Sequence, residues 1–255
     1  MTKSTTDLYW NDRAITEQKK ESVNIADHVQ RDLEIDALLK NIHTEDNLLE
    51  VGCGNGFLTN ILREHVTFVD AFDYAENMVA QARALYGERN NRFFHDNVLN
   101  PSHWSQGYDT IVCVRVLINL RNLEEQAQAV RNMYGALKPH GRLLLFEGYI
   151  NGFEALNELR LSCGIEKLIP AKINCYSPVE ELCRVFEDMF TVQEVFHTGC
   201  FDFLTRLVYP ALAGSEKALG PGEFHNKIHI IAKKYNPVQF APLARVRGFL
   251  LTKRA

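Results

Sequence analysis

The chain has 255 residues, 46% hydrophobic and 24% charged, with a formal net charge of -4. That balance excludes a disordered or fibrous chain and supplies enough apolar side chains for a full core, most simply one domain with an appended lid. The slight acidic excess argues against nucleic acid as a partner, and no apolar run approaches the length needed to span a bilayer.

The polar start, Met1 to Asp7, lacks the apolar segment of a secretory signal, so a cytoplasmic location is expected. The six cysteines (53, 113, 163, 175, 183 and 200) include no Cys-x-x-Cys pair. Free thiols in a reducing compartment, and no zinc site, are the expectation. His225 and His229 share one helical face, but without a glutamate between them they read as a polar helix surface.

Along the chain, Tyr9-Trp10 beside Asn11-Asp12-Arg13 marks an amino-terminal aromatic segment. Apolar residues from Ile25 to Leu39 recur at helical spacing. Leu48 to Val51 reads as a first strand, followed by Gly52, Gly54 and Gly56 and then by helical periodicity through Phe57, Leu58, Ile61 and Leu62. Strands are predicted at 66–72, 92–95, 110–114 and 142–147, with helices at 76–86 and 123–137 between them. Pro139-His140-Gly141 acts as a breaker before the fifth strand.

From Gly148 to about Met189 the pattern turns helical, broken at Gly164 and Pro170. A sixth strand is predicted at 192–197, a helical excursion at 203–233 and a last strand at 248–252. Such alternation implies a doubly wound α/β sheet. The organisation expected is one domain with a helical cap over about 1–46, a core sheet over about 47–147 and 191–255, and helical insertions over about 148–190 and 201–245.

A loop with glycines at alternate positions lets the backbone approach a ligand, because no Cβ intervenes and positive φ is tolerated. A dinucleotide loop would place its glycines as G-x-G-x-x-G. Here the spacing is Gly52-x-Gly54-x-Gly56 after Glu50, in Leu49-Glu50-Val51-Gly52-Cys53-Gly54-Asn55-Gly56. This segment resembles the first motif of the class I S-adenosylmethionine-dependent methyltransferases.

Phe72-Asp73-Tyr74-Ala75-Glu76-Asn77-Met78 resembles that family's second motif. Phe93-Phe94-His95-Asp96-Asn97-Val98 is similar to its third, and the stretch from Tyr108 to Leu120 to its fourth. The resemblance covers about Asn47 to Glu147. It implies a Rossmann-like, seven-stranded, mostly parallel sheet of order 3-2-1-4-5-7-6, with the final strand antiparallel, helices on both faces and a helical insertion or lid.

It also implies a cofactor, S-adenosyl-L-methionine, leaving as S-adenosyl-L-homocysteine. The cofactor-binding residues expected are Glu50, Gly52, Cys53, Gly54, Asn55, Gly56, Asp73, Tyr74, Met78, Asp96, Asn97, Val98, Val114 and Arg115. Asp73 would accept from the ribose diol and Asp96 from the adenine amino group.

Methyl transfer from a sulfonium is an in-line displacement, so alignment and exclusion of water carry much of the catalysis. Strand ends four and five put Arg115, Asn119 and Glu147 nearest the methyl, with Glu147 a candidate general base. Tyr9, Arg13, Tyr149, Asn157, Arg160 and Tyr176 are candidate acceptor contacts, as are Asn151 and Glu158 in the same insertion as Asn157, and Asn174 and Cys175 beside Tyr176. Trp10 with Tyr9 is a candidate closing segment.

The combined pattern resembles bacterial methyltransferases of surface polysaccharide or small metabolites. O-methylation of a sugar, glycan or small polar metabolite is the leading expectation. N-methylation of a small molecule, a non-catalytic cofactor-binding protein and a nicotinamide-dependent oxidoreductase are the alternatives. The oligomeric state has no signature.

Overall fold

The structure is a computed structural model that describes residues 5–16, 27–87, 89–104, 106–218 and 222–254. In chain order the elements are α1 (Thr5–Thr16), α2 (His28–Leu39), β1 (Asn47–Val51), α3 (Phe57–Leu62), β2 (Phe68–Asp73), α4 (Glu76–Tyr86), β3 (Asn91–His95) and β4 (Tyr108–Val114). They continue as α5 (Leu123–Ala136), β5 (Leu137–Gly148), α6 (Ile150–Ser162), α7 (Val179–Phe186), β6 (Phe190–His197), α8 (Gly199–Asp202), α9 (Tyr209–Ala213), α10 (Glu223–Lys234) and β7 (Val246–Lys253). Residues 25 and 26, expected to open the second helix, lie outside the described residues.

The seven strands form one sheet of order β3-β2-β1-β4-β5-β7-β6. β1 to β5 pair in parallel, while β7 runs antiparallel to both β5 and β6. The order and the antiparallel last strand agree with the expectation. The breaker at 139–141 does not delay the fifth strand, since β5 already starts at Leu137, pairing with Tyr108. His140 takes φ 61, and the β4–β5 register shifts between Tyr108 and Thr110, so the irregularity is absorbed within the strand.

Strands covered on both faces must be apolar at odd and even positions alike. Leu49, Val51, Ile111, Cys113, Leu143 and Leu145 face one core, with Ala129, Val130 and Met133 of α5 and Leu182 and Phe186 of α7. Leu48, Val69, Ala71, Val112, Leu144 and Phe146 face the other, with Ala37 and Leu38 of α2, Leu62 of α3 and Val79 and Ala82 of α4. Each of these large apolar side chains contributes about 1.5–3 kcal/mol on burial.

Caps fix where the key helices begin. The Asp27 side chain accepts from the Gln30 amide at 3.1 Å, and Asn122 accepts from that of Glu125 at 2.9 Å. The expected insertion after β5 consists of α6 and α7 joined by an irregular segment, 163–178. The excursion after β6 is α8, a π-helical stretch over Phe203–Val208, α9 and α10. No described helix is long and apolar enough to cross a membrane.

Candidate active site

A cavity of about 490 Å³ opens at the carboxyl ends of the parallel strands. The glycine loop forms its floor. Gly52, Gly54 and Gly56 have φ of 73, 52 and 81. A Cβ on Gly52 would sit 2.4 Å from Cγ2 of Val116, so the loop after β4 packs directly against the loop after β1.

Five amides of this loop bond within the protein. Those of Gly52 and Cys53 donate to Phe72 O, that of Gly54 to Asp73 Oδ2, that of Gly56 to Cys53 O and that of Phe57 to Asn55 Oδ1. A dinucleotide loop offers such amides to a diphosphate at the head of a long helix. Here the following helix has six residues and an αL glycine ahead of it, which counts against the oxidoreductase alternative.

Asp73 ends β2 half-buried, with Oδ2 held by the Gly54 amide at 2.8 Å and Oδ1 by that of Ala75 at 2.8 Å. Burial pushes its carboxyl up, against the pull of those amides. The carboxylate stands in the cavity wall as an acceptor, the requirement for gripping vicinal ribose hydroxyls. Glu50, buried beneath, accepts from Thr59 Oγ1 at 2.5 Å, and burial raises its carboxyl to about 8. A cationic amine is the ligand group that would offset that cost. The residues therefore fit S-adenosylmethionine, which carries both a ribose diol and an ammonium.

Of the other expected cofactor residues, Cys53, Tyr74, Met78, Asn97, Val98, Val114 and Arg115 line the cavity with these. Asn55 and Gly56 lie under the loop and shape it without lining the cavity. Asp96 requires correction. Its Oδ1 accepts from Asn97 N and Ser102 Oγ, its Oδ2 from His103 N and Ser102 N, and it does not line the cavity. Burial acts to raise its carboxyl, but these donors hold it below the usual range. It ties down the loop after β3 and leaves Asn97 and Val98 to line the cavity.

Glu147 also departs from its expected role. Fully buried, it accepts from the amides of Val116 and Leu117 through Oε1 at 2.7 Å each, and from Ile118 through Oε2 at 3.4 Å. Burial outweighs those donors and raises its carboxyl to about 7. It does not line the cavity and acts as a post that positions the turn after β4. That turn holds Arg115 at φ 56, with its amide donating to Phe146 O at 2.8 Å.

Asn119 does reach the cavity. Its Nδ2 donates to Arg115 O at 2.8 Å and its Oδ1 accepts from Trp10 Nε1 at 3.0 Å, which fastens α1 across the opening. Tyr9 packs edge-on against Trp10 at 5.1 Å, and neither it nor Arg13 lines the cavity; Trp10 does. The closing residue is the indole, because a hydrogen-bonding polar edge on an apolar plate suits a rim.

Among the expected acceptor contacts, Tyr176 lines the cavity, seated over Gly148, where a Cβ would come within 2.7 Å of its ring. Tyr149, by contrast, is buried in the core against Phe249. Asn157 bonds both N and O of Leu168, and Arg160 donates to Glu166 O and Arg206 O. Both brace the insertion away from the cavity, because their polar groups meet loop carbonyls that need donors.

Sequence reasoning missed the wall supplied by α2. Arg31, Glu34, Ile35 and Leu38 line the cavity, with the Arg31 guanidinium 4.2 Å over the Phe57 ring. Glu34 pairs with Arg115 and accepts from Gln30 Nε2 at 2.9 Å. The available signal was polar residues at 30, 31 and 34 beside the apolar Val29, Leu33, Ala37 and Leu38 on the face that α2 buries.

Residues 48–141 match a family model described as a methyltransferase domain. The chain is 31% identical over 120 residues to the ubiquinone/menaquinone biosynthesis C-methyltransferase UbiE of a Marinomonas species, covering 45% of this chain and 47% of that protein. It thus spans about half that relative's length. It is 24% identical over 179 residues to the demethylmenaquinone methyltransferase of Listeria welshimeri, covering 65% of this chain and 74% of that one.

Magnesium protoporphyrin IX methyltransferase from Synechocystis, solved with bound S-adenosylhomocysteine, superposes with a TM-score of 0.58 at 15% identity, over 98% of this chain and 95% of that one. Residues 48–141 therefore carry the matched methyltransferase domain, and the sheet order and superposition show the fold of the class I S-adenosylmethionine-dependent methyltransferases.

Proposed function

We propose that the protein is an enzyme, one methyltransferase domain with helical insertions, that methylates a hydroxyl of a sugar, glycan or other small polar metabolite in the cytoplasm. The observation that carries this reading is a single cavity with two unlike walls. One has the glycine loop, Glu50 and Asp73; the other has charged and polar side chains from α2, the turn after β4 and the segment before α7. When bound, S-adenosylmethionine supplies an activated methyl group on its sulfonium.

The chain's own contribution is orientation and exclusion of water. Glu50 holds the ammonium of the cofactor and Asp73 its ribose, Asn97 and Val98 flank its base, and Trp10 closes the opening. The turn from Arg115 to Asn119 faces the acceptor, held in place by Glu147. The test is calorimetric titration with S-adenosylhomocysteine against NAD, followed by methyl transfer from labelled cofactor to an acceptor panel. Micromolar binding of the former alone supports the reading; binding of neither by folded protein overturns it.

A second reading is C-methylation of a quinone precursor, as the names of the two curated relatives suggest. Ile35, Leu38, Leu58 and Ile118 give the cavity an apolar side that a ring could use. Turnover of a reduced demethylquinol and not of hydroxylated aliphatic metabolites would select it.

A further inference from the structure

A buried polar atom without a partner is costly, so several of them around one cavity describe the ligand that completes them. Three such atoms belong to residues lining the cavity. Glu34 Oε2, Arg115 Nε and Asn174 Oδ1 are each buried and lack a hydrogen-bond partner. We propose that Glu34, Arg115 and Asn174 form an acceptor subsite for a pair of vicinal hydroxyls, the chemistry of a pyranose or related polyol.

The subsite is built before any ligand arrives. Asp202 holds Arg245 through Nε and Nη2 at 2.8 and 2.7 Å, and Arg245 Nη2 donates to Gln30 Oε1 at 2.9 Å. With its oxygen so engaged, Gln30 turns its Nε2 toward Glu34 Oε1, 2.9 Å away. Arg115 donates to the same oxygen. Glu34 is therefore fixed through Oε1 alone, and Oε2 is left over.

On the same wall, Asn174 donates through Nδ2 to the Tyr176 hydroxyl at 3.0 Å, which leaves its Oδ1 over. The segment carrying both is pinned to the turn after β4. Cys175 N donates to Ile118 O at 2.6 Å, and Gln126 Nε2 donates to Leu117 O and Cys175 O at 3.0 and 2.9 Å. The polar wall is thus rigid on both sides, as a recognition site requires.

The unmet groups are two acceptors and one donor, which discriminates among acceptor classes. The ring carbon that can accept a sulfonium methyl is that of a reduced quinol, whose two hydroxyls stand on opposite ring carbons; one of them could answer Arg115 Nε and one oxygen but would leave the other oxygen unmet. An ammonium could answer the two oxygens but would stand beside the Arg115 guanidinium and leave its Nε unmet. Two adjacent hydroxyls, each donor and acceptor, answer all three. This proposal rests on the methyl-transfer reading above, and its test separates the two.

The experiment uses the full chain and labelled S-adenosylmethionine, with methyl pyranosides of common hexoses and 6-deoxyhexoses as probes. Each is paired with derivatives lacking one hydroxyl of a vicinal pair. The wild type is expected to methylate at least one pyranoside and to lose tenfold or more in kcat/KM when one flanking hydroxyl is removed.

Glu34→Gln and Asn174→Ala should bind S-adenosylhomocysteine within about twofold of wild type while losing most of that discrimination. Asn174→Ala, in a loop, keeps the test open if Glu34→Gln fails to fold. The subsite is overturned if pyranosides are ignored while a reduced demethylquinol or an amine is methylated, if no probe is turned over by protein that binds S-adenosylhomocysteine, or if both variants discriminate like wild type. Loss of S-adenosylhomocysteine binding in the variants would assign these residues to the cofactor instead. Its absence in the wild type would sink the methyl-transfer reading itself.

Discussion

The two walls of the cavity are made in different ways. On the side proposed for the cofactor, each side chain named sits within a few residues of the end of its own strand. Glu50, Gly52 and Gly54 follow one another at the end of β1, and Asp73 closes β2. On the acceptor side, the partners come from far apart in the chain: Glu34 meets Arg115 across 81 residues and Trp10 meets Asn119 across 109. A wall of local loops keeps its geometry if its strand does, whereas a wall of distant partners depends on every element between them.

The largest effect that would break this contrast concerns Glu147, the post behind the acceptor side. Glu147→Ala orphans the buried amides of Val116 and Leu117. At about 1–3 kcal/mol for each unmet group, a loss of roughly 3 kcal/mol is expected, seen as a lower midpoint in thermal denaturation. An unchanged midpoint would mean that the turn stands without its post. The sign of the wild type's own pH dependence follows from burial. Because the folded carboxyl lies at about 7 against an ordinary 4.5, its ionisation opposes folding, so this contribution to stability declines as pH rises from 4.5 through 7.

Next in size is Asp73→Ala, which removes the carboxylate assigned to the ribose without touching the acceptor wall. S-adenosylhomocysteine should bind about 30-fold more weakly, from a contact worth about 2 kcal/mol. Calorimetry showing unchanged affinity would move the ribose elsewhere.

A third prediction uses Glu50, raised by burial to about 8. Below that pH the free protein holds the proton, and a bound ammonium expels it. S-adenosylhomocysteine affinity should therefore rise with pH, by up to about tenfold per unit between 6 and 8, and level off above. Glu50→Gln should flatten the profile. A steep profile surviving in that variant would assign the titration to another group.

The smallest effect is expected at the rim. Trp10→Phe keeps the ring but removes the hydrogen bond to Asn119, a loss of about 1 kcal/mol. Cofactor dissociation followed by stopped flow should quicken about fivefold. No change would reduce α1 to a surface ornament of the domain.

The sequence by itself determined the strand and helix alternation, the sheet order implied by its motifs, the glycine loop and the acidic residues after β1 and β2. These are legible because they depend on period and on spacing within single loops. Even there, local spacing misread Asp96 and Glu147, since whether a carboxylate faces a ligand or a row of amides depends on where those amides lie. Asn157, Arg160 and Tyr149 were misplaced for the same reason: a polar side chain near a strand end or in an insertion has several directions open to it.

Only the tertiary structure decided that α2 supplies a wall, that Trp10 rather than Tyr9 meets the rim, and that Asn174 and Tyr176 return to the turn after β4. Contacts across 81 and 109 residues carry no local pattern, because what selects them is the packing of whole elements on the sheet.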